Sequence, residues 1–157
     1  MNIKETKKHL EVLTYDKNWE PPEINYGNNL IKEATNTDLN YLVVTMDIPW
    51  NLVKNNITKP PAQIIYVKNM HLASLIKIEN EILDNIEMVI GIGGGSCHDC
   101  AKYIAIKKKI RLIQLPTMFG GDAVITTPTG IRNSKGKVEY IGCTYPDKIY
   151  IDFDLLR

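Results

Sequence analysis

Along this chain apolar residues gather in short unbroken runs, separated by segments whose apolar positions recur every three or four residues. Tyr41-Leu42-Val43-Val44-Thr45, Ile64-Ile65-Tyr66-Val67, Met88–Ile92 and Ile110–Leu115 are runs of strand length. A run that is apolar at every position predicts a strand covered on both faces. Ile24-Asn25-Tyr26-Gly27, just after the Pro21-Pro22 pair, and Lys148–Asp152 predict two more strands. Between them, residues 28–37 read as a short helix. Asn69 is placed to cap another, in which Leu72, Leu75 and Ile76 keep helical spacing. Cys97, Cys100, Ala101, Ile104 and Ala105 follow i, i+3, i+4, i+7, i+8, which makes one apolar helix face. Strands alternating with helices predict an α/β fold, a Rossmann-like parallel sheet flanked by helices. Residues 1–20 are polar and mixed in charge, so a boundary is expected near residue 23: an extension over 1–23 and one α/β domain over 24–157.

The stretch MVIGIGGGSCHDCAKYIA, residues 88–105, carries the most chemistry. A strand ends in Gly93, Gly94 and Gly95, and a helix begins. Glycine lets another group approach the backbone closely. Ser96 is suited to cap the helix, and Asp99 three residues on resembles the second half of a capping box. A helix N-terminus has unpaired N–H groups and a partial positive charge, which together suit a pyrophosphate. A tight strand–helix turn with no ligand remains the alternative. The pattern is neither GxGxxG nor a Walker loop, since no Gly-Lys-Ser/Thr follows.

The Cys97-His98-Asp99-Cys100 element raises two other possibilities, a redox pair at a helix N-terminus and half of a zinc site. Both cysteines lie on the apolar helix face and only Cys143 remains elsewhere, which favours structural core cysteines. His98 falls on another face and is expected to be partly exposed near the ligand. The bulk composition narrows the field further. With 157 residues the chain can bury a real core, and 44% apolar with 24% charged residues is ordinary for a globular domain. A formal net charge of +1 gives no reason to expect a nucleic-acid partner or a membrane surface. Lys107-Lys108-Lys109 reads as a solvated helix end. No segment reads as a secretory signal or reaches the length of a membrane span, and three cysteines do not make a disulfide framework, so a cytoplasmic location is expected.

A second stretch follows, IRLIQLPTMFGGDAVITTPTGIRNSKGKVEY. Taken together, GGGSCHDCAKYIA, then LPT, then GGDA resemble the metal-dependent, "iron-containing" alcohol dehydrogenase superfamily, in particular its glycerol dehydrogenase and sn-glycerol-1-phosphate dehydrogenase branch. The resemblance covers about residues 24–157 and implies the N-terminal domain of the dehydroquinate synthase-like fold, without the helical C-terminal domain. It implies that NAD or NADP binds with its pyrophosphate against Gly94, Gly95 and Ser96, with Asp99 and Lys102 on the helix behind. Thr117 would bond near the adenosine or the phosphates, and Thr126 would offer a hydroxyl to the cofactor. Asp122 would stand beside the nicotinamide and the substrate polyol as the catalytic carboxylate. Asp47 would accept the adenine-ribose hydroxyls, a lean towards NAD. Arg132 and Lys135 could face a substrate phosphate but read equally as solvated loop cations.

The family's metal, zinc, nickel or iron, is held by one carboxylate and two histidines in the C-terminal domain. The histidines here are His9, His71 and His98, none in such a motif, so no metal ligand is assigned in this chain. The expectation is therefore the cofactor half of a polyol or polyol-phosphate oxidoreductase. Alone it would be inactive; it would be completed by a C-terminal metal-binding half or assembled as a homo-oligomer. Two alternatives stay open: a carbacycle synthase (dehydroquinate synthase-like lyase) fragment, against which the missing GGK segment counts, and a non-catalytic nucleotide-binding module.

Overall fold

A computed structural model describes residues 22–118 and 120–156. In chain order the elements are β1 (Glu23–Gly27), α1 (Leu30–Ala34), β2 (Tyr41–Thr45), α2 (Asp47–Val53) with a 3-10 turn at Lys54–Asn56, β3 (Gln63–Tyr66), α3 (Leu72–Glu81), β4 (Met88–Gly93), α4 (Gly95–Lys108), β5 (Arg111–Pro116), β6 (Thr129–Arg132), β7 (Val138–Ile141) and β8 (Lys148–Asp152). Six strands form one parallel sheet in the order β1-β8-β5-β4-β2-β3, and β6 and β7 form a separate antiparallel hairpin. The predicted parallel α/β sheet is therefore the observed one. The extension expected over residues 1–23, His9 included, lies outside the described residues except for Pro22 and for Glu23, which opens β1.

The unbroken apolar runs reflect burial on both sides of the central strands. In β2, Leu42 and Val44 pack into a core with Leu75 of α3 and Cys100, Ala101 and Ile104 of α4. Tyr41 and Val43 point the other way, into a core with Ile31 and Ala34 of α1 and Val53 of α2. Every β2 residue is buried as a result. Each such aliphatic side chain contributes roughly 1.5–3 kcal/mol through removal from water. In β4, Gly91 has a packing reason: a Cβ there would lie 2.3 Å from Gln114 Oε1 and 2.9 Å from Ala101 Cβ. The glycine lets α4 lie close against the sheet.

Locally the structure refines this picture. Residues 28–37 hold only the short α1, because Asn29 just before it is left-handed (φ 57°) and Thr35 ends it. Asp47 sits just past the end of β2 and opens α2, with Pro49 in the first turn where a missing N–H costs nothing. The β6–β7 hairpin was not foreseen. Its turn, Asn133-Ser134-Lys135-Gly136, places Gly136 at φ 74°, where a Cβ would be strained.

The topology marks where a ligand would go. From β2 the chain passes outward to β3, whereas from β4 it passes to β5 on the opposite side. Strand order thus reverses between β2 and β4, and in open parallel sheets ligands bind beyond the carboxyl ends of the strands at that reversal.

Candidate functional site

At the carboxyl end of β4, Gly93 has φ 143°, and a Cβ there would fall 2.7 Å from Cys97 Sγ. Only glycine makes this turn. Gly94 has ordinary extended geometry (φ −101°, ψ −168°) and is the N-cap of α4. Cys97 and His98 donate to its carbonyl at 3.0 and 3.2 Å, which leaves the amides of Gly95 and Ser96 ahead of the first intrahelical bonds. The Thr117 amide donates to the Gly93 carbonyl at 3.0 Å and ties the end of β5 to the turn. A Cβ on Gly94 would meet only the Met118 thioether, at 3.2 Å, and Met118 is itself exposed. Among the described residues, the space in front of Gly94 is therefore open apart from one movable side chain.

Ser96 does not cap the helix: the helix starts one residue earlier and has no side-chain cap. Asp99, the expected far half of a capping box, turns instead to Lys102, with Oδ1 2.8 Å from Nζ. His98 is not exposed either. It is buried at 2% exposure, and its Nδ1 donates to Gln114 Oε1 at 2.6 Å while Gln114 Nε2 donates to the His98 carbonyl at 3.1 Å. Helix α4 is covered on more than its apolar face, because β5 brings Gln114 against its first turn. Burial pushes the His98 pKa down to about 4, against the Gln114 bond and the Gly93 backbone, which favour the proton. Cys97 and Cys100 are core residues as expected. Burial pushes their thiols up to about 11 and about 12, so the redox reading has no thiolate to work with.

Past Thr117 the chain makes a turn in which the Asp122 carbonyl accepts the amides of Ile125 and Thr126 at 3.0 and 2.9 Å. Lys102 reaches this segment from behind, donating to the carbonyls of Thr126 at 3.1 Å and Pro128 at 2.6 Å. Lys102 is buried, on the helix behind the glycine turn. Asp99 also accepts from the Gly130 backbone, and burial raises its carboxyl above the usual range although Lys102 opposes this. Ser96, Asp99, Asp122 and Thr126 line one open cavity of about 200 Å³, together with Arg132 and Tyr140 of the hairpin. The fold thus gathers four of the expected residues. Gly94, Gly95 and Thr117 flank them at the strand ends. Asp47 stands exposed at the start of α2, whose Pro49 lies 3.3 Å from a Cβ on Gly93. Tyr140 was missed. The alternation Val138, Tyr140 after a glycine turn was the available signal.

The residues suit a dinucleotide. Two amides precede the first helical bonds, the approach at Gly94 is open, and carboxylate and hydroxyl groups stand to one side. They do not suit a metal: among the described residues no group of three His, Cys, Asp or Glu could hold one. Also among the described residues, no helix is long and apolar enough to cross a membrane.

A family model described as iron-containing alcohol dehydrogenase matches residues 21–157. The chain belongs to that family. Among relatives of the iron-containing alcohol dehydrogenase family, glycerol dehydrogenase 1 of Schizosaccharomyces pombe is 28% identical over 116 residues, 68% of this chain and 26% of that protein. A glycerol-1-phosphate dehydrogenase [NAD(P)+] of Nitrosopumilus maritimus is 30% identical over 91 residues, 57% of this chain and 25% of that one. A 3-dehydroquinate synthase of Corynebacterium efficiens is 37% identical over 76 residues, 45% and 20% of the two chains. The crystal structure of glycerol dehydrogenase from Schizosaccharomyces pombe superposes with TM-score 0.78 at 23% identity, over 90% of this chain and 40% of that chain. An iron-containing alcohol dehydrogenase of Thermotoga maritima gives TM-score 0.75 at 18% identity, over 87% and 47%. The chain spans less than half the length of each of these proteins, and the structural likenesses show the fold.

Proposed function

We propose that this chain is the NAD(P)-binding part of an oxidoreductase acting on glycerol, glycerol 1-phosphate or a related polyol. The observation that carries the reading is the glycine turn at the strand-order reversal, with two amides ahead of the first helical bonds and, among the described residues, no fixed atom in front of Gly94. Gly94, Gly95 and Ser96 would hold the pyrophosphate and Thr117 would stand beside it. The Thr126 hydroxyl would contact the cofactor, and Asp47 would take the adenine ribose. When bound, the nicotinamide supplies the hydride acceptor or donor. Asp122 would orient the substrate hydroxyls beside it. Turnover would also need a metal held by residues other than those described, supplied by a C-terminal half or within an assembly. Residues 1–157 alone are expected to be inactive.

Nicotinamide fluorescence during titration of the chain with NADH tests the reading. Saturable binding is expected; a folded chain that leaves NADH fluorescence unchanged overturns it. A second reading, a carbacycle synthase, is favoured by the identity to 3-dehydroquinate synthase. Once metal ligands are provided, phosphate release from a heptulosonate phosphate would support that reading, and NAD(P)-linked oxidation of a polyol would support the first.

A further inference from the structure

Between the end of β5 and the start of β6 the described residues form no helix or strand, yet they include Asp122 and Thr126. What holds this segment lies inside the fold. The Lys102 side chain is 1% exposed and its ammonium has three acceptors: Asp99 Oδ1 at 2.8 Å and the carbonyls of Pro128 at 2.6 Å and Thr126 at 3.1 Å. Three donors meet three acceptors, so the buried charge is fully paired. An apolar side chain would fill the same space without the desolvation cost of an ammonium. It could not hold two loop carbonyls.

The connection runs further. The amide of Thr126, whose carbonyl Lys102 holds, donates to the Asp122 carbonyl at 2.9 Å. Two consecutive hydrogen bonds therefore link Lys102 to the backbone of Asp122. Asp99 completes the clamp by accepting from the Gly130 backbone beyond the loop. Both clamp residues stand on α4, the helix whose N-terminus forms the glycine turn.

We propose that Lys102 is a positioning residue that fastens the Thr126–Pro128 segment to α4 and so fixes Asp122 relative to the glycine turn. The proposal rests on the reading of Asp122 and the glycine turn as one cofactor site, but the first arm of its test does not. That arm is residue-resolved amide hydrogen exchange on the whole chain, wild type against Lys102→Met. Exchange at Ile125 and Thr126, the two amides bonded to Asp122, should accelerate at least about tenfold, while amides of β4 and β5 keep their protection. Uniform acceleration through sheet and loop would show that Lys102 serves stability alone and would overturn the proposal. So would unchanged exchange at Ile125 and Thr126. Should Lys102→Met fail to fold, Asp99→Asn carries the same test. It leaves one acceptor oxygen for Lys102 and turns an amide donor towards Gly130, so the clamp loses its charge and one of its two acceptors; a smaller acceleration confined to the same two amides is expected, and uniform or absent acceleration overturns the proposal. The second arm is NADH titration. Affinity in the folded variant should fall at least about fivefold, and unchanged affinity would overturn the link to the site. If wild type binds no NADH, the functional reading fails and the exchange result still decides the clamp.

Discussion

When the pH falls from 7.5 to 5, the unfolded chain takes up a proton at His98 that the folded chain refuses. The side chain is 2% exposed, its Nε2 has no hydrogen-bond partner among the described residues, and burial holds its pKa down to about 4. In the unfolded chain the value is about 6.5. A depressed folded value means stability that is present above about pH 6.5 and is lost as the pH falls towards 4, because the unfolded state then binds more protons. Integrated to pH 5, the loss is about 2 kcal/mol, and carried below pH 4 it approaches about 3 kcal/mol. Urea unfolding at the two pH values, compared between wild type and His98→Asn, isolates this contribution. The asparagine amide can still donate to Gln114 Oε1 but does not titrate. Asp99, raised by burial, pulls the opposite way as the pH falls, and it is present in both proteins and cancels in the comparison. Wild type should lose about 2 kcal/mol more than His98→Asn between pH 7.5 and pH 5. Equal losses would refute the buried neutral imidazole.

Thiol labelling of the native chain should reach Cys143, which is half-buried, well before Cys97 and Cys100, and should reach those two only on unfolding. Fast native labelling of either would refute their place in the core. Gly91→Ala should lower stability by about 1–3 kcal/mol, read by urea unfolding, because its Cβ would sit on Gln114 Oε1 and Ala101 Cβ; an unchanged midpoint would show that α4 yields freely. Asp47→Ser should weaken NADH more than NADPH in paired titrations, since a carboxylate repels a 2′-phosphate and accepts ribose hydroxyls. Equal weakening would remove Asp47 from the adenosine site.

How far the sequence disclosed all this depended on which forces dominate locally. The strands were legible because burial on both faces leaves an unbroken apolar run, and Tyr41–Thr45 and Lys148–Asp152 keep their boundaries. The glycine turn was legible because backbone freedom at Gly93 can come from no other residue. Pairings across the sheet were not. Asp99 looks like a capping residue in one dimension, and only the return of residues 126–130 over α4 draws it and Lys102 inward. His98 looks solvated on a helical wheel until β5 places Gln114 beside it. The hairpin escaped notice because its short half-exposed strands bury little and so leave a weak pattern.

The central claim is that the open backbone at Gly94 is the seat of a dinucleotide phosphate. Gly94→Val tests it most directly, since φ −101° and ψ −168° tolerate a side chain and only the movable Met118 stands near the new Cβ. The account predicts a folded variant, with thermal midpoint and circular dichroism close to wild type, whose NADH affinity is lowered at least a hundredfold, about 2.7 kcal/mol. A folded Gly94→Val chain that binds NADH as wild type does would contradict it.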